Sequence, residues 1–310
     1  MQQKRIPMKA MILAAGLGTR LRPLTSKIPK TLVPVANRPA IDWNIEYLKA
    51  YGVTQIVVNA HQHLDMVSKH LNLGKPFGLK IDLRFEPKIL GTGGGIRNTA
   101  DFWDKESFIV VNGDILTNID LSKACYEHRK SGALATLVLH DYGPFNKIQI
   151  NKQFQITDIP FTYDSKKSER LAFTGIQILE PEIFRHIPAG IFCDIIDCHR
   201  WLILKGKQVR AYIAEGHDWH DIGTPGSYMN ANKWAVGKNP VLVGHRCRID
   251  KTATLEGWAV IGNETDLQKN VLIQRSILWD RVKVKEGIRI IDSIVTSSKE
   301  VRYDLINKII

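Results

Sequence analysis

The sequence is poor in the features that mark several protein classes. Its 310 residues include only four cysteines, and their irregular spacing excludes a disulfide framework. We predict that all four are buried free thiols: Cys125, Cys193, Cys198 and Cys247. No apolar run approaches the roughly 20 residues that a membrane-spanning helix needs. The composition therefore predicts a globular protein with no membrane partner.

Positive charge is in excess but is not concentrated. Lysine and arginine number 43 against 31 acidic residues, which gives a formal net charge of +12. The basic residues are scattered, with no dense run and no nucleic-acid-binding motif. We therefore predict small anionic substrates and no nucleic-acid partner.

A glycine-containing loop follows the first apolar run of the chain. The run 10–14 is short enough to be a buried strand. Gly16 and Gly18 let the backbone turn sharply and bring its N–H groups close to a ligand, and Arg20 and Lys30 add positive charge beyond them. The loop is neither a Walker A motif nor a dinucleotide fingerprint, because the residues that complete those patterns are missing. It predicts polyphosphate binding.

The order of elements predicts two domains. Strand and helix signals alternate over the first 225 residues, which is typical of an α/β fold with a mostly parallel, Rossmann-like sheet. Beyond Pro240 a six-residue period begins, and a fixed short period indicates a solenoid. We predict a first domain over residues 1–238 and a solenoid over residues 239–310. The aliphatic residues on the period are Val243, Ile249, Leu255, Ile261, Leu267 and Ile273, and after a shift Val282, Ile288 and Ile294.

Four segments resemble motifs of a known family. The segment 16–30 has the pattern Gly-x-Gly-Thr-Arg-x-x-Pro-x-Thr-x-x-x-Pro-Lys, which closely resembles the signature of the sugar-phosphate nucleotidyltransferases. The segments 110–114 and 219–225 resemble two later motifs of the same family, and the glycine-rich segment 86–96 resembles its nucleotide-base loop. The resemblance extends over essentially the whole chain. The six-residue period is similar to the hexapeptide repeat of a short left-handed parallel β-helix.

The resemblance implies an enzyme and assigns its site residues. It implies transfer of a nucleotidyl group from a nucleoside triphosphate to a sugar 1-phosphate, with pyrophosphate as the second product, in the cytoplasm where both substrates occur. It implies catalytic roles for Arg20, Lys30, Asp114 and Asp221, with Asp114 and Asp221 also holding Mg2+. Implied nucleotide contacts are Leu13, Ala14, Ala15, Gly16, Gly18, Thr19, Gly91, Thr92 and Gly93. Implied sugar-phosphate contacts are Asn112, Thr174 and Gly175.

The predicted metal site is consistent with the chemistry of its donors. Mg2+ prefers one or two carboxylates together with phosphate oxygens and water. Two aspartates at the carboxyl ends of separate strands can converge in an open α/β sheet. His217 and His220 are close to the second aspartate in sequence, but imidazole suits zinc better than Mg2+. We interpret both histidines as neighbours of the site and not as ligands.

One departure from the family pattern affects the sugar-phosphate contact. The family usually carries Glu-Lys-Pro in the hairpin region, with its lysine on the sugar phosphate. Here the equivalent stretch, residues 155–160, contains no lysine. The lysines that could replace it are Lys147, Lys152, Lys166 and Lys167.

The exact substrates remain open at this point. The hexapeptide tail and the pattern of the base loop favour GTP with mannose 1-phosphate or a related hexose or heptose phosphate. The missing Glu-Lys-Pro and the triple glycine favour a uridylyltransferase acting on an amino-sugar or muramic-acid phosphate. A non-catalytic regulatory subunit that binds a nucleotide-sugar is a further alternative. Because a short solenoid leaves an open end and a lateral face, we also expect a homo-oligomer.

Overall fold

The computed structural model describes residues 8–160 and 170–310. Within these ranges the helices are α1 (Ala40–Ala50), α2 (Leu64–Leu71), α3 (Gly91–Arg97), α4 (Leu121–Ser131), α5 (Ile195–Leu204) and α6 (Pro225–Ala235). The first strands are β1 (Met8–Leu13), β2 (Pro34–Val35), β3 (Arg38–Pro39), β4 (Val53–Ala60), β5 (Lys80–Phe85), β6 (Phe108–Asn112), β7 (Ile115–Thr117), β8 (Ala135–His140), β9 (Ile148–Ile150), β10 (Ile156–Asp158), β11 (Arg170–Leu179) and β12 (Val209–Ile213). The remaining strands are β13 (Trp219–Asp221), β14 (Val241–Val243), β15 (Arg248–Ile249), β16 (Thr254–Ile261), β17 (Asp266–Leu267), β18 (Leu272–Leu278), β19 (Lys283–Val284), β20 (Arg289–Ile291), β21 (Ile294–Val295), β22 (Glu300–Val301) and β23 (Leu305–Ile306). Among the described residues, no helix has both the length and the apolar character needed to cross a membrane.

The chain divides into two compact units. The first unit contains the residues up to Leu17 together with Trp43–Trp219, and the second contains Gly18–Asp42 together with His220–Ile310. The division falls inside the predicted phosphate loop. The domain boundary at residue 238 stays a prediction. It is placed where the six-residue sequence period begins, whereas the two units are defined by contacts within the fold.

The first unit is built on a mostly parallel sheet, which confirms the predicted α/β class. The strand order is β5-β4-β1-β6-β11-β8-β12, and the β9–β10 hairpin continues from β11. Strand β11 is antiparallel to β6 and β8, whereas β1 is parallel to both β4 and β6. Ala10, Met11 and Ile12 on β1 are fully buried, as expected for a central strand that is covered on both faces.

Most elements of the first unit agree with their sequence signals. Gly52, whose φ of 86° lies in the left-handed region, follows α1, and the Asp120 side chain caps α4 by accepting from the Ser122 N–H. Helix α3 is short and ends at Arg97. Glycines disfavour the helix, and the Thr99 hydroxyl donates back to the Ile96 carbonyl at the end of it.

The carboxyl-terminal part of the second unit is a stack of parallel strands. Further along the stack the offset between paired residues is 17, as between Asp266 and Lys283. At its beginning Val241 pairs with Ala259 and Arg248 pairs with Asp266, so the strands are 18 residues apart. This offset is three times the six-residue period. Ile261, Leu267 and Ile273 of the period are at most 1% exposed, whereas Val243, at the first strand of the stack, is 41% exposed. The aliphatic positions thus form a core wherever strands lie on both sides.

The predicted burial of the four cysteines is correct for two of them. Cys125 and Cys198 are buried, and burial raises the pKa of each thiol to about 12. Cys193 and Cys247 are only partly buried, so the prediction was wrong for them. Cys193 precedes α5 instead of lying on it, and Cys247 lies in a turn before β15.

Candidate active site

Four of the predicted nucleotide residues lie at one edge of the parallel sheet of the first unit, at the end of β1 and directly after it. Leu13, at the end of β1, pairs with Asn59 of β4 and with Asn112 of β6. Ala14, Ala15 and Gly16 directly follow β1. The carboxyl edge of an open α/β sheet is where such folds bind ligands.

A buried carboxylate connects the end of β1 to the glycine-rich segment. Glu86 is fully buried, and its two carboxylate oxygens accept from the Asn59 side-chain amide at 2.7 Å and from the Leu90 N–H at 3.1 Å. Asn59 in turn accepts from the Ala14 N–H at 2.7 Å. This network was not predicted; an acidic residue between Phe85 and a proline, at the end of an alternating strand, is the only signal for it in the sequence.

The glycines at 91–95, in the segment predicted to contact the base, are required by packing within the protein. A Cβ at Gly91 would lie 2.5 Å from the Cys193 carbonyl oxygen, and one at Gly95 would lie 2.8 Å from the Glu86 carboxylate. The N–H groups of Gly93 and Gly94 both donate to the Cys193 carbonyl. The Thr92 hydroxyl donates to Asp194. Any contact of Gly93 with a base would therefore use groups other than its N–H.

The three predicted sugar-phosphate residues lie together in the first unit. Gly175 has a φ of 81°, and a Cβ on it would lie 2.9 Å from the Asn112 side-chain nitrogen. The Thr174 hydroxyl donates to the Val138 carbonyl at 2.8 Å. The pairing of β11 with β8 is irregular between Phe173 and Gln177, and such bulges redirect side chains near functional sites.

An aromatic cluster that was not predicted adjoins this bulge. The Trp219 indole N–H donates to the Thr174 carbonyl at 2.8 Å. His140 is 5% exposed, with its Nδ1 atom 3.2 Å from Nε2 of His217 and its ring 5.0 Å from Trp219. Tyr142 stacks on His140 and also contacts Trp219, with ring centroids 5.6 Å and 5.4 Å apart, respectively. Burial and the neighbouring His217 ring lower the pKa of His140 to about 4, so its ring is neutral at physiological pH.

Asp114 is held close to the end of β1. It is half-buried and lies between β6 and β7. The preceding Gly113 donates its N–H to the Leu13 carbonyl at 2.9 Å. The backbone beside Asp114, the predicted metal ligand of the first unit, is therefore bonded to the end of β1, where the predicted nucleotide contacts begin.

The two glycines of the predicted phosphate loop, Gly16 and Gly18, differ in their structural roles. Gly18 has a φ of 63°, and a Cβ on it would lie 2.9 Å from Thr25 and 3.2 Å from the Lys30 Cβ atom. The Thr25 hydroxyl also donates to the Gly18 carbonyl. The fold therefore demands glycine at position 18. Gly16 has no positive φ, and a Cβ there would meet nothing within 4 Å, so neither turn geometry nor packing within the described chain explains this glycine.

Arg20 and Asp221 border the same glycine in the second unit. A Cβ at Gly223 would lie 2.5 Å from Oδ2 of Asp221 and 3.5 Å from Nη2 of Arg20. Oδ2 of Asp221 also accepts from the Gly223 N–H at 2.9 Å and lies 3.4 Å from the Ser227 hydroxyl. Helix α6 begins directly after this turn, with Thr224 and Ser227 forming a capping box. Neither α6 nor the need for Gly223 was predicted.

Each unit carries one predicted metal ligand, and the chemistry of its carboxylate fits a divalent ion that takes other ligands from substrate. In the described ranges no three His, Cys, Asp or Glu side chains form a ready-made metal cage. Asp114 and Asp221 are half-buried carboxylates, and Mg2+ accepts one or two such ligands when phosphate oxygens supply others. The two histidines near Asp221 have other contacts, since His217 pairs with His140 and the His220 ring lies 4.9 Å from that of Trp234.

The lysines proposed to replace the missing Glu-Lys-Pro lysine cannot all be compared. Lys147 and Lys152 are exposed on either side of β9. Lys166 and Lys167 lie outside the described residues. None of the four is thereby selected.

Comparison with known proteins identifies relatives over most of the length of the chain. The profile of the family described as Nucleotidyl transferase matches residues 9–236. UTP–glucose-1-phosphate uridylyltransferase from Synechocystis is 28% identical, over 93% of this chain and 87% of that protein. Mannose-1-phosphate guanylyltransferase from Mycobacterium tuberculosis is 26% identical, over 90% of this chain and 81% of that protein. N-acetylmuramate α-1-phosphate uridylyltransferase from Neisseria meningitidis is 34% identical, over 70% of this chain and 94% of that protein.

Proposed function

The chain belongs to the nucleotidyl transferase family, and we propose that it transfers a nucleotidyl group from a nucleoside triphosphate to a sugar 1-phosphate. The products are a nucleoside-diphosphate sugar and pyrophosphate. The observation that carries this proposal is that Arg20 and Asp221 both lie close to Gly223. A cation and a carboxylate beside one glycine suit a polyphosphate substrate that arrives with a divalent metal.

The reaction needs alignment and charge neutralisation more than covalent help. The phosphate of the sugar is already ionised and attacks the α-phosphorus of the triphosphate, and the bond to the leaving pyrophosphate breaks. We assign Arg20 to the leaving pyrophosphate and Lys30 to the phosphates near the point of attack. The N–H groups after β1, from Ala15 onward, are the proposed cradle, and Gly16 allows a phosphate to approach the backbone closely.

Asp114 and Asp221 are the proposed Mg2+ ligands. A bound divalent ion supplies neutralisation of the charge that develops on the phosphate oxygens. The chain's own contribution is to orient the carboxylates: Gly113 anchors Asp114 to β1, and the Gly223 N–H fixes one oxygen of Asp221.

The proposed sugar-phosphate residues are Asn112, Thr174 and Gly175. Their proximity in the first unit supports a common role. The neutral His140 ring and the Trp219 indole beside Thr174 offer apolar faces and hydrogen-bonding atoms to a sugar ring. Nucleotide contacts are proposed at Leu13, Ala14, Ala15, Gly16, Gly18, Thr19, Gly91, Thr92 and Gly93.

As substrates we propose GTP and mannose 1-phosphate or a related hexose or heptose phosphate. The stack of parallel strands after residue 240 and the guanylyltransferase relative that matches 90% of the chain support this choice. The second candidate is UTP with an amino-sugar or muramic-acid phosphate. It is supported by the missing Glu-Lys-Pro and by the 34% identity to a muramate uridylyltransferase.

A panel of substrates tests both candidates. Pyrophosphate release should be measured for each nucleoside triphosphate against mannose, glucose, N-acetylglucosamine, muramic-acid and heptose 1-phosphates. Because the base is selected by buried hydrogen bonds, the correct base should be preferred by a large factor. A tenfold or greater preference for UTP with every sugar would overturn the guanylyl proposal. Nucleotide-sugar binding without turnover would instead favour a regulatory subunit.

The remaining proposals concern assembly and location. We propose that the parallel stack is a left-handed β-helix, since its 18-residue strand offset accommodates three six-residue sides per coil. Its terminal strands present unpaired backbone groups, which favours association into a homo-oligomer. The cytoplasm is the proposed location because both substrates are cytoplasmic metabolites.

A further inference from the structure

We propose that the stack of parallel strands positions Lys30, the lysine proposed to bind phosphate. It does so through a hydrogen-bonded latch on the hairpin that follows Lys30 in the sequence. The latch consists of Tyr228, Asn232, Trp279 and the Ile261 carbonyl, and the hairpin is β2–β3, residues 34–39. All of these residues belong to the second unit. The functional part of this proposal rests on the proposed function, because it takes Lys30 to be a ligand of the triphosphate.

The hairpin is poorly stabilised by its own sequence. Its two strands have two residues each, and the terminal pair is Pro34 with Pro39. Proline has no N–H to donate to a ladder. The turn places Ala36 at a φ of 48° and Asn37 at 60°, and alanine is disfavoured in this left-handed region. The hairpin therefore depends on contacts from outside it.

Three partners supply those contacts, and each bonds to a different residue of the hairpin. The Tyr228 hydroxyl donates to the Pro34 carbonyl at 2.5 Å, and the Asn232 side chain accepts from the Ala36 N–H at 2.9 Å. The Asn37 side chain donates to the Ile261 carbonyl at 2.7 Å, at the end of β16.

The strand stack also holds the central member of the latch. The indole N–H of Trp279, which directly follows β18, donates to the Tyr228 hydroxyl at 3.0 Å. Tyr228 and Asn232 are fully buried and Trp279 is 6% exposed. A buried hydroxyl with both a donor and an acceptor has one defined position, and losing either partner leaves a polar group unsatisfied.

The hairpin is connected to Lys30 by a short series of backbone bonds. The Ala40 N–H donates to the Val33 carbonyl at 3.1 Å, and the Val33 N–H donates to the Lys30 carbonyl at 3.2 Å. Val33 is fully buried, so this segment cannot shift without disturbing the core. Displacement of the hairpin is therefore transmitted to the backbone of Lys30, which packs against Gly18.

Hydrogen exchange of the full-length protein tests the latch without reference to catalysis. Tyr228→Phe removes the bridging hydroxyl, and Asn37→Gly removes the side-chain bond while favouring the left-handed turn. Both should speed exchange of the amides in residues 33–40 by about tenfold. Ser276→Ala is the matched control: Ser276 is equally buried in the strand stack, and its hydroxyl bonds only to groups within it. Unchanged exchange in Tyr228→Phe, or equal acceleration in Ser276→Ala, would overturn the latch.

Steady-state kinetics then test its positioning role. In Tyr228→Phe and Trp279→Phe we expect KM for the triphosphate to rise about fivefold and kcat to fall, while KM for the sugar phosphate stays within about twofold. The double variant should be no worse than Tyr228→Phe, since both changes break one chain of bonds. A merely structural role would lower the active fraction and move neither KM, which would overturn the positioning role. If the wild type turns over no substrate pair, the proposed function fails, whereas the exchange result still decides the latch.

Discussion

The two units hold their candidate residues by different means. In the first unit, the sheet edge is fixed by a buried network around Glu86 and by glycines that pack directly on neighbouring backbone. In the second unit, Arg20 is exposed and Lys30 and Asp221 are half-buried. These charged residues lie on turns and short segments, and none of their side chains is fully buried. The groups proposed for recognition are therefore built into a core, and most of the charged groups are not.

This difference leads to distinct expectations for substitutions in the two units. A change of the charged side chains of the second unit should alter turnover with little effect on folding, because these side chains are not fully buried. A change within the first unit should also alter stability, because its candidate residues are part of the packed sheet. The predictions below test this distinction, from the largest expected effect to the smallest.

The largest effect should come from the two aspartates, one in each unit. Asp114→Asn and Asp221→Asn keep the shape and an oxygen acceptor but remove the negative charge. Each should lower kcat by at least about 100-fold at saturating Mg2+, since charge stabilisation at the reacting phosphates would be lost. Pyrophosphate release measures the effect, and circular dichroism verifies the fold.

Asp65→Asn is the control for these substitutions, because Asp65 is an exposed carboxylate in the first turn of α2. It should retain wild-type turnover. Wild-type kinetics in Asp114→Asn or Asp221→Asn would remove that residue from the site.

A glycine pair in the second unit separates activity from stability. An added Cβ at Gly223 would lie 2.5 Å from the Asp221 carboxylate, which would have to move. Because a side-chain tip can move at little cost, Gly223→Ala should lower kcat by about tenfold or more while the free energy of unfolding changes by less than about 1 kcal/mol. Urea denaturation and pyrophosphate release measure the two quantities.

Gly226→Ala is the matched control, three residues further along in the first turn of α6. A Cβ there meets nothing within 4 Å, so both activity and stability should be preserved. Equal activity in the two variants would mean that the orientation of Asp221 at this turn does not matter for turnover.

The surroundings of Gly223 show what the sequence could and could not predict. Residue patterns predicted the mostly parallel sheet, and the motifs indicated which residues to look for at its edge. They could not predict that Gly223 is bordered by Arg20, because these residues are some 200 positions apart and only tertiary packing brings them together. Local propensity likewise did not reveal α6, whose start depends on the capping box at Thr224.

Other differences arise from competition between local and tertiary effects. The glycines at 91–95 look like a ligand loop in sequence, yet two of their N–H groups bond to Cys193, which lies about 100 residues away. The latch on the 34–39 hairpin uses residues from α6 and from the strand stack, and the periodicity of the sequence does not predict such contacts. The six-residue period, in contrast, is a local repeat that directly matches the strand offset of 18.

The smallest effect concerns the neutral histidine of the first unit. The pKa of His140 is lowered from 6.5 to about 4, first by burial and then by His217, while Asp141 acts in the opposite direction. Between these two pH values the unfolded chain binds more protons at this residue than the folded chain does. Stability contributed by the neutral ring is therefore present above about pH 6.5 and is lost as the pH falls toward 4.

His140→Phe should remove this contribution while retaining an aromatic ring in contact with both Tyr142 and Trp219. Urea denaturation at pH 7 and pH 5 should show that the loss of unfolding free energy over this interval is smaller in the variant by about 1–2 kcal/mol. Tyr142→Phe perturbs the same cluster without removing a group that titrates in this range, so it should keep the wild-type slope. If the unfolding free energy changes equally with pH in His140→Phe and wild type, the His140 ring ionises alike in the folded and unfolded chains. The buried neutral His140 would then no longer distinguish the first unit from the charged residues of the second.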